Sequence, residues 1–381
     1  MSKPFMLATG LLAGTVIGAG MFSLPYVFSR VGVTGGLFYL LAFSLVYFAV
    51  HLMYARVVET RPDGHQFSFF ARAYLPRWAS LPVSFGIFAE LLLVLVAYLV
   101  LAPTFGVVAA GPFAQTGLPA QAGGADIHTI TLIAFWLTGS LFMFARLTWQ
   151  GIAEILGAVV ILGIVATVFL FSASAPLTTP AFTQLNFGLF FLPFGPLLFS
   201  LAGRPAVTEV VEEHRRAGKS FSLTKAIAWG TFIPAAVYAI FALSVLRLNP
   251  AVTPEALNSL GGILPPSLLA LLGVLGLIVL WTSYFIIGEN VRDMLHLDWK
   301  MPRWFSSAVV VAVPPLLYLA GLRNFLGVIS FTGGVFLAVE GVAVIAMWRR
   351  AFPGHRWGWV VWPLAAVFTA AFVYELITVF R

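Results

Sequence analysis

The sequence predicts an all-α polytopic membrane protein: two five-helix repeats inverted relative to each other, with broken helices 1 and 6, plus an eleventh helix. Three observations lead there. Hydrophobic residues make up 60% and charged residues 9% of 381 positions, a composition that the surface of a soluble domain does not carry. Charge-free stretches run from Lys3 to Arg30, Arg30 to Arg56, Glu90 to Asp126 and Glu255 to Glu289, each beyond the ~20 residues that cross a bilayer. Gly, Pro and charge interrupt two apolar runs at corresponding places, one in each half of the chain.

Breaks at Pro, Gly and charge clusters place the spans at about 5–29, 33–57, 82–110, 128–145, 150–172, 187–213, 225–247, 264–291, 304–321, 324–347 and 358–379. Span 1 contains "GTVIGAGMFSLPY", with Gly14, Gly18 and Gly20 inside seven positions. Each glycine costs a helix roughly 1 kcal/mol relative to alanine. Between spans 2 and 3, "QFSFFARAYLPRW" reads as a helix along the interface, with Phe67, Phe69, Phe70 and Tyr74 toward the bilayer and Arg72 and Arg77 toward water. Span 3 carries Glu90 and Tyr98, and span 6 carries Gly203, Arg204 and Pro205. After span 7, a threonine followed by proline in "LNPAVTPEALNSLGG" predicts a short capped helix. Span 10 holds Glu340, and span 11 places Glu375 at an interface.

Spans 1–5 (about 5–172) and 6–10 (about 187–347) form the two repeats of one transmembrane domain, 1–381, with 358–379 as the addition. Five is odd, so the second repeat inserts upside down. With the N-terminus cytoplasmic, sixteen Lys and Arg fall on inner loops, whereas only Arg30, Arg247, Arg323 and Arg381 fall outside. That asymmetry predicts a plasma (inner) membrane protein with its N-terminus cytoplasmic and its C-terminus outside. The net charge of +7 is spread over the inner loops without an aromatic-interleaved patch, which argues against nucleic acid. There is no cysteine, hence no disulfide, thiolate nucleophile or Cys-based metal site. The first apolar run is too long for a signal peptide and lacks a small-residue cleavage signature, so it is expected to remain.

A broken helix frees backbone N–H and C=O groups at membrane depth, where hydrocarbon cannot satisfy them; the break must line a cavity or face a ligand. Half-helix N-termini favour an anionic group, and loose carbonyls an ammonium or metal cation. Gly14 and Gly18 alone would serve close helix packing. Gly20, Pro25 and the matched break in span 6 point instead to a central ligand site.

These residues resemble a known group. "GTVIGAGMFSLPYVF" resembles the first helix of amino acid permeases of the amino acid/auxin permease and aromatic amino acid permease families, within the APC superfamily. "LLFSLAGRPAVTEVVEE" is similar to their sixth helix and "WTSYFIIGENVRDML" to their eighth. The resemblance implies a LeuT-type fold and transport of an amino acid by alternating access, coupled to H⁺ or Na⁺, with no cofactor and no obligatory protein partner. It implies that the substrate carboxylate meets N–H groups of Ile17, Gly18, Ala19 and Gly20. The amino group meets carbonyls around Thr15, Val16, Ser200 and Leu201, with Ala202, Gly203 and Arg204 completing the helix 6 side. The family commonly has histidine or a neutral residue where this chain has Arg204. A sodium site in relatives matches Gly14, Ile17, Val279, Thr282 and Ser283 in spacing, although a Thr–Ser pair in a membrane helix also back-bonds to the preceding turn. Proton-coupled members carry the same pair.

Arg204 either contacts substrate or pairs with Glu90, Glu340 or Glu209; a charge at this depth is functional by default. Arginine does not release its proton. Glu90 and Glu340 are the embedded carboxylates that could take up and release one, whereas Glu154, Glu209 and Glu289 lie near span ends in capping or solvated positions. Tyr98 either reaches the cavity or packs with its hydroxyl paired. The six histidines are assigned to loops or span ends without HExxH spacing, so no metal is expected beyond Na⁺. An alternative reading is an amino acid sensor with a transporter fold and little transport. An enzyme would need convergent His, Asp or Ser groups, and none appears.

Overall fold

The computed structural model describes residues 2–64, 66–114, 121–122, 125–144, 147–174 and 186–380, with side chains outside 112–125 and 145–155. His65, Arg146, Arg381 and the side chain of Glu154 lie outside the described residues. Apart from a two-residue antiparallel pairing of Gln121–Ala122 with Ala125–Asp126, the regular structure there is helical.

Span 1 is α1 (Lys3–Val16), a 3₁₀ turn (Ala19–Ser23) and α2 (Leu24–Val31), bent by 48° at the break. Gly32 at φ 89° turns the chain into α3 (Val33–Thr60), a conformation that favours glycine. α4 (Phe67–Tyr74) precedes α5 (Arg77–Ala114), and α6 (Ile127–Phe142) and α7 (Leu147–Ser174) close the first half. Span 6 is α8 (Phe194–Ser200) and α9 (Arg204–Arg216), separated by three residues. α10 (Leu223–Leu248), α11 (Pro266–Asp293) and α12 (Arg303–Leu319) follow. Span 10 is α13 (Phe325–Phe331), a π-helical turn (Thr332–Leu337) and α14 (Ala338–Ala351), and span 11 is α15 (Val361–Val379).

Among the described residues, seven helices are long and apolar enough to cross a membrane, and the bent pair of span 1 makes an eighth. The short apolar helices α6 and α12, with the split α8–α9, complete the eleven expected spans. α5 lies at the centre against α11, while α1 packs on α10 and α9. The basic ends of α3, α5, α9 and α14 gather on one side: Arg215 donates to the Val58 carbonyl and Arg350 to the Tyr74 carbonyl.

Several local expectations are corrected. Phe67 and Phe70 on α4 do not face the bilayer; they are buried, with both rings against Tyr54 of α3. The interfacial helix caps the bundle, and burying aromatic area there outweighs presenting it to lipid. The predicted threonine-capped helix after span 7 is a 3₁₀ turn over Ala256–Leu260, because Thr253 bonds to Ser259 instead of capping. Glu375 is buried against Gly334 rather than interfacial. His51 is not at a span end but buried within α3.

Candidate functional site

The two breaks meet at the centre of the bundle. α1 ends at Val16; Ile17 and Gly18 run extended before the 3₁₀ turn begins at Ala19. α8 ends at Ser200, and α9 starts at Arg204 with Pro205 in its first turn, where a missing N–H costs nothing. A Cβ on Gly20 would stand 2.8 Å from the Ser200 Cα. Only glycine lets the two backbones approach this closely.

Buried tyrosines answer the carbonyls that the breaks release. Tyr238 of α10 is fully buried; its hydroxyl shares one proton between the carbonyls of Val16, at 2.5 Å, and Ser200, at 2.9 Å, and accepts from the Gly18 N–H at 3.3 Å. One side chain thereby ties both broken spans. Tyr47 of α3 donates to the Leu198 carbonyl at 2.5 Å. Thr15 and Ser200 donate to carbonyls one turn back, Leu11 and Pro196. Spacing did not single out either tyrosine; an aromatic hydroxyl at mid-span was the available signal, used only for Tyr98.

A cavity of about 100 Å³ lies between the breaks. Of the residues anticipated there, Thr15, Val16, Gly18, Ala19, Gly20, Ser200, Ala202 and Arg204 line it, together with Glu90, Glu340 and Tyr98. Ile17 gives its N–H to the Ala13 carbonyl, Leu201 is fully buried, and Gly203 packs against Val16, Leu12 and His51. These three do not line the cavity. Of the two roles foreseen for Tyr98, it reaches the cavity.

Arg204 forms the floor. Its Nε lies 2.6 Å from Glu340 Oε2 and its Nη2 3.8 Å from Glu90 Oε2, and the guanidinium stacks over the Phe67 ring at 5.1 Å. All three ionic side chains are nearly excluded from solvent, at 13%, 8% and 9% exposure. One cation thus faces two carboxylates from α5 and α14. A second cavity of about 250 Å³ shares Leu91, Arg204 and Pro205 with the first and continues past Glu212 to Asp298 at the basic end. At the opposite end Phe22 is fully buried edge-on between Phe105, at 4.9 Å, and Phe241, at 5.7 Å. The central cavity thus adjoins one that leads toward the basic end, with Arg204 between them.

The five residues matched to a sodium site are on α1 and α11. Thr282 donates its hydroxyl to the Val279 carbonyl at 2.9 Å. A Cβ on Gly157 of α7 would stand 3.1 Å from the Thr282 hydroxyl. Thr282 thus back-bonds in this state. His51 contacts the other side of the span 6 break: its Nδ1–H is accepted by Thr231, whose own hydroxyl donates to Ile227, leaving Nε2 without a partner.

The architecture defines a class. The fold is similar to that of MhsT, solved in complex with L-phenylalanine, at a TM-score of 0.64 and 14% identity over 99% of this chain and 98% of that one. It is also similar to Mhp1, a nucleobase-cation-symport-1 family transporter solved closed with bromovinylhydantoin bound, at a TM-score of 0.58 and 14% identity over 98% of this chain and 91% of that one. No curated protein sequence is significantly similar to the chain. The fold is of the LeuT type, and the protein is a multi-pass membrane transporter of a small molecule, not an enzyme. The family profile of the tryptophan/tyrosine permeases matches residues 1–379, and the chain belongs to that family.

Proposed function

We propose that the protein is a secondary active transporter that moves an amino acid with an aromatic side chain across the plasma membrane by alternating access. The basic end is cytoplasmic in this reading, so the N-terminus lies inside and the C-terminus outside. The observation that carries the reading is the pair of opposed breaks, tied by Tyr238 around a cavity whose floor is the Arg204 ion group. The family name supports tryptophan or tyrosine as cargo. Ala19 and Gly20 line the cavity, and in this reading their N–H groups receive the substrate carboxylate.

The coupling ion in this proposal is the proton. One guanidinium between two carboxylates leaves a surplus negative charge, and a proton on Glu90 or Glu340 brings the group to neutrality. Uptake of radiolabelled L-tryptophan and L-tyrosine into proteoliposomes, with proton and sodium gradients imposed separately, tests both parts. Accumulation under an inward proton gradient is expected. Sodium-driven accumulation lost in Thr282→Ala would transfer coupling to the α1–α11 site. Binding without accumulation under either gradient would overturn transport in favour of a sensor.

A further inference from the structure

We propose that Glu90 receives the ammonium group of the substrate, in place of the helix-break carbonyls that the family resemblance implies; this rests on the amino acid reading above. Two independent observations converge. The carbonyls of Val16 and Ser200 are both taken by the Tyr238 hydroxyl, and that of Leu198 by Tyr47. Tyr238 and Tyr47 are themselves buried, at 0% and 4% exposure. An ammonium arriving at the break would have to share both carbonyls with a buried phenol that already donates to them. Glu90, meanwhile, lines the same cavity with its side chain 9% exposed, and its Oε2 accepts no hydrogen bond.

The polar neighbours of Glu90 explain why it is available. Arg204 Nη2 is 3.8 Å away, beyond hydrogen-bond length, because the guanidinium commits its Nε to Glu340 at 2.6 Å. The other acidic residue lining the cavity is Glu340, which supplies no N–H donor. A primary ammonium supplies three N–H donors and one positive charge, which fits a buried acceptor beside a half-neutralised pair. Gly18, Ala19 and Gly20 line the same cavity from the helix 1 break, so a substrate held by both has its carboxylate and ammonium on different elements. Glu90 then acts as a binding residue, and Glu340 remains the carboxylate through which a proton couples.

The test compares two probes, L-tryptophan and indole-3-propionate, which differ by the ammonium group, on purified protein in nanodiscs by isothermal titration calorimetry. Wild type is expected to prefer L-tryptophan by tenfold to a hundredfold, about what a charge-assisted hydrogen bond contributes. In Glu90→Gln the preference should collapse through weaker L-tryptophan binding, and in Glu90→Asp it should be intermediate. Tyr238→Phe should retain the preference. An unchanged preference in Glu90→Gln, or tighter L-tryptophan binding in Tyr238→Phe, would overturn the inference and return the ammonium to the carbonyls. Wild type that binds neither probe would instead remove the aromatic amino acid reading and this inference with it. Monodisperse size-exclusion profiles separate these outcomes from misfolding, and Glu90→Asp supplies the decision where Glu90→Gln does not fold.

Discussion

Replacing Tyr238 by phenylalanine removes one oxygen atom and leaves the buried ring in place, so its effect isolates the hydroxyl. That hydroxyl answers three backbone groups: the Val16 carbonyl at 2.5 Å, the Ser200 carbonyl at 2.9 Å and the Gly18 N–H at 3.3 Å. A buried polar group left without a partner costs about 1–3 kcal/mol. Hydrogen bonds between membrane helices, however, contribute only about 0.6 kcal/mol on average and about 1.7 at most, because alternatives are found. Here all three groups belong to residues that line the cavity, and three are stripped at once. The expected loss is therefore about 2–3 kcal/mol in reversible unfolding by SDS titration. Tyr47→Phe, which strips a single carbonyl, should lose about 1 kcal/mol under the same conditions. The transport assay should show a second signature in Tyr238→Phe: a reduced maximal rate, since spans 1 and 6 no longer share a tie. A Tyr238→Phe protein within about 0.5 kcal/mol of wild type and with an unchanged rate would refute the view that this hydroxyl holds the broken spans together.

Three other outcomes are expected. Arg204→Gln should abolish uptake and destabilise by about 3–5 kcal/mol, since it leaves two buried carboxylates uncompensated; adding Glu340→Gln should restore part of the stability but not the uptake, and a more damaging double variant would contradict the pairing. Gly20→Val should cost about 1–3 kcal/mol by overpacking and block uptake, because even its Cβ falls 2.8 Å from Ser200; thermal unfolding and uptake measure the two effects. Glu255, in the loop before the 3₁₀ turn, has its carboxyl raised above the ordinary value by burial. The folded state thus holds that proton more firmly than the unfolded state. Its stabilising contribution is present below the ordinary carboxylate range and is lost as pH rises through the raised value. Glu255→Gln should flatten that part of the stability profile.

The sequence carried the spans and the breaks because both rest on strong local physics. A charge-free run of twenty residues in a chain of this composition has few destinations, and glycines or an Arg–Pro pair inside one must be accommodated somewhere. Among the described residues, eight of the spans, the bent span 1 counted as one, and both interruptions accordingly stand where periodicity and punctuation placed them. The partner of Arg204 was narrowed to three carboxylates but not chosen, because choosing requires the distance from α9 to α5 and α14, which no spacing encodes. Tyr238 was missed for the same reason: it lies 222 residues from Val16, and a tyrosine among apolar residues reads as ordinary packing. Phe67 and Phe70 were assigned to the wrong surroundings because amphipathicity distinguishes an apolar face from a polar one without saying whether lipid or protein covers it.

On the proposed reading, the ion group at the cavity floor explains how loading and opening can be linked. Breaking the Arg204–Glu340 contact in an empty site would strand a guanidinium and carboxylates with little solvent, and a buried charge without its partner costs about 3–5 kcal/mol. The empty barrier is therefore held shut. A zwitterionic amino acid brings an ammonium to the two carboxylates while its own carboxylate stays at the helix 1 break, so the carboxylates keep a cation as Arg204 parts from Glu340. Its arrival replaces the lost contacts as they part, so the cost of separating α9 from α14 falls only when substrate is present. A proton on Glu340 lowers that cost further by removing the charge that Arg204 holds. The arrangement thus ties movement of the floor to occupancy, which a simple hydrophobic plug at the same position would not do. An Arg204→Met, Glu340→Met double variant makes that plug: it is expected to bind substrate weakly, fold well and exchange substrate without accumulation, and gradient-driven accumulation at the wild-type level would show that the ion group is not the link.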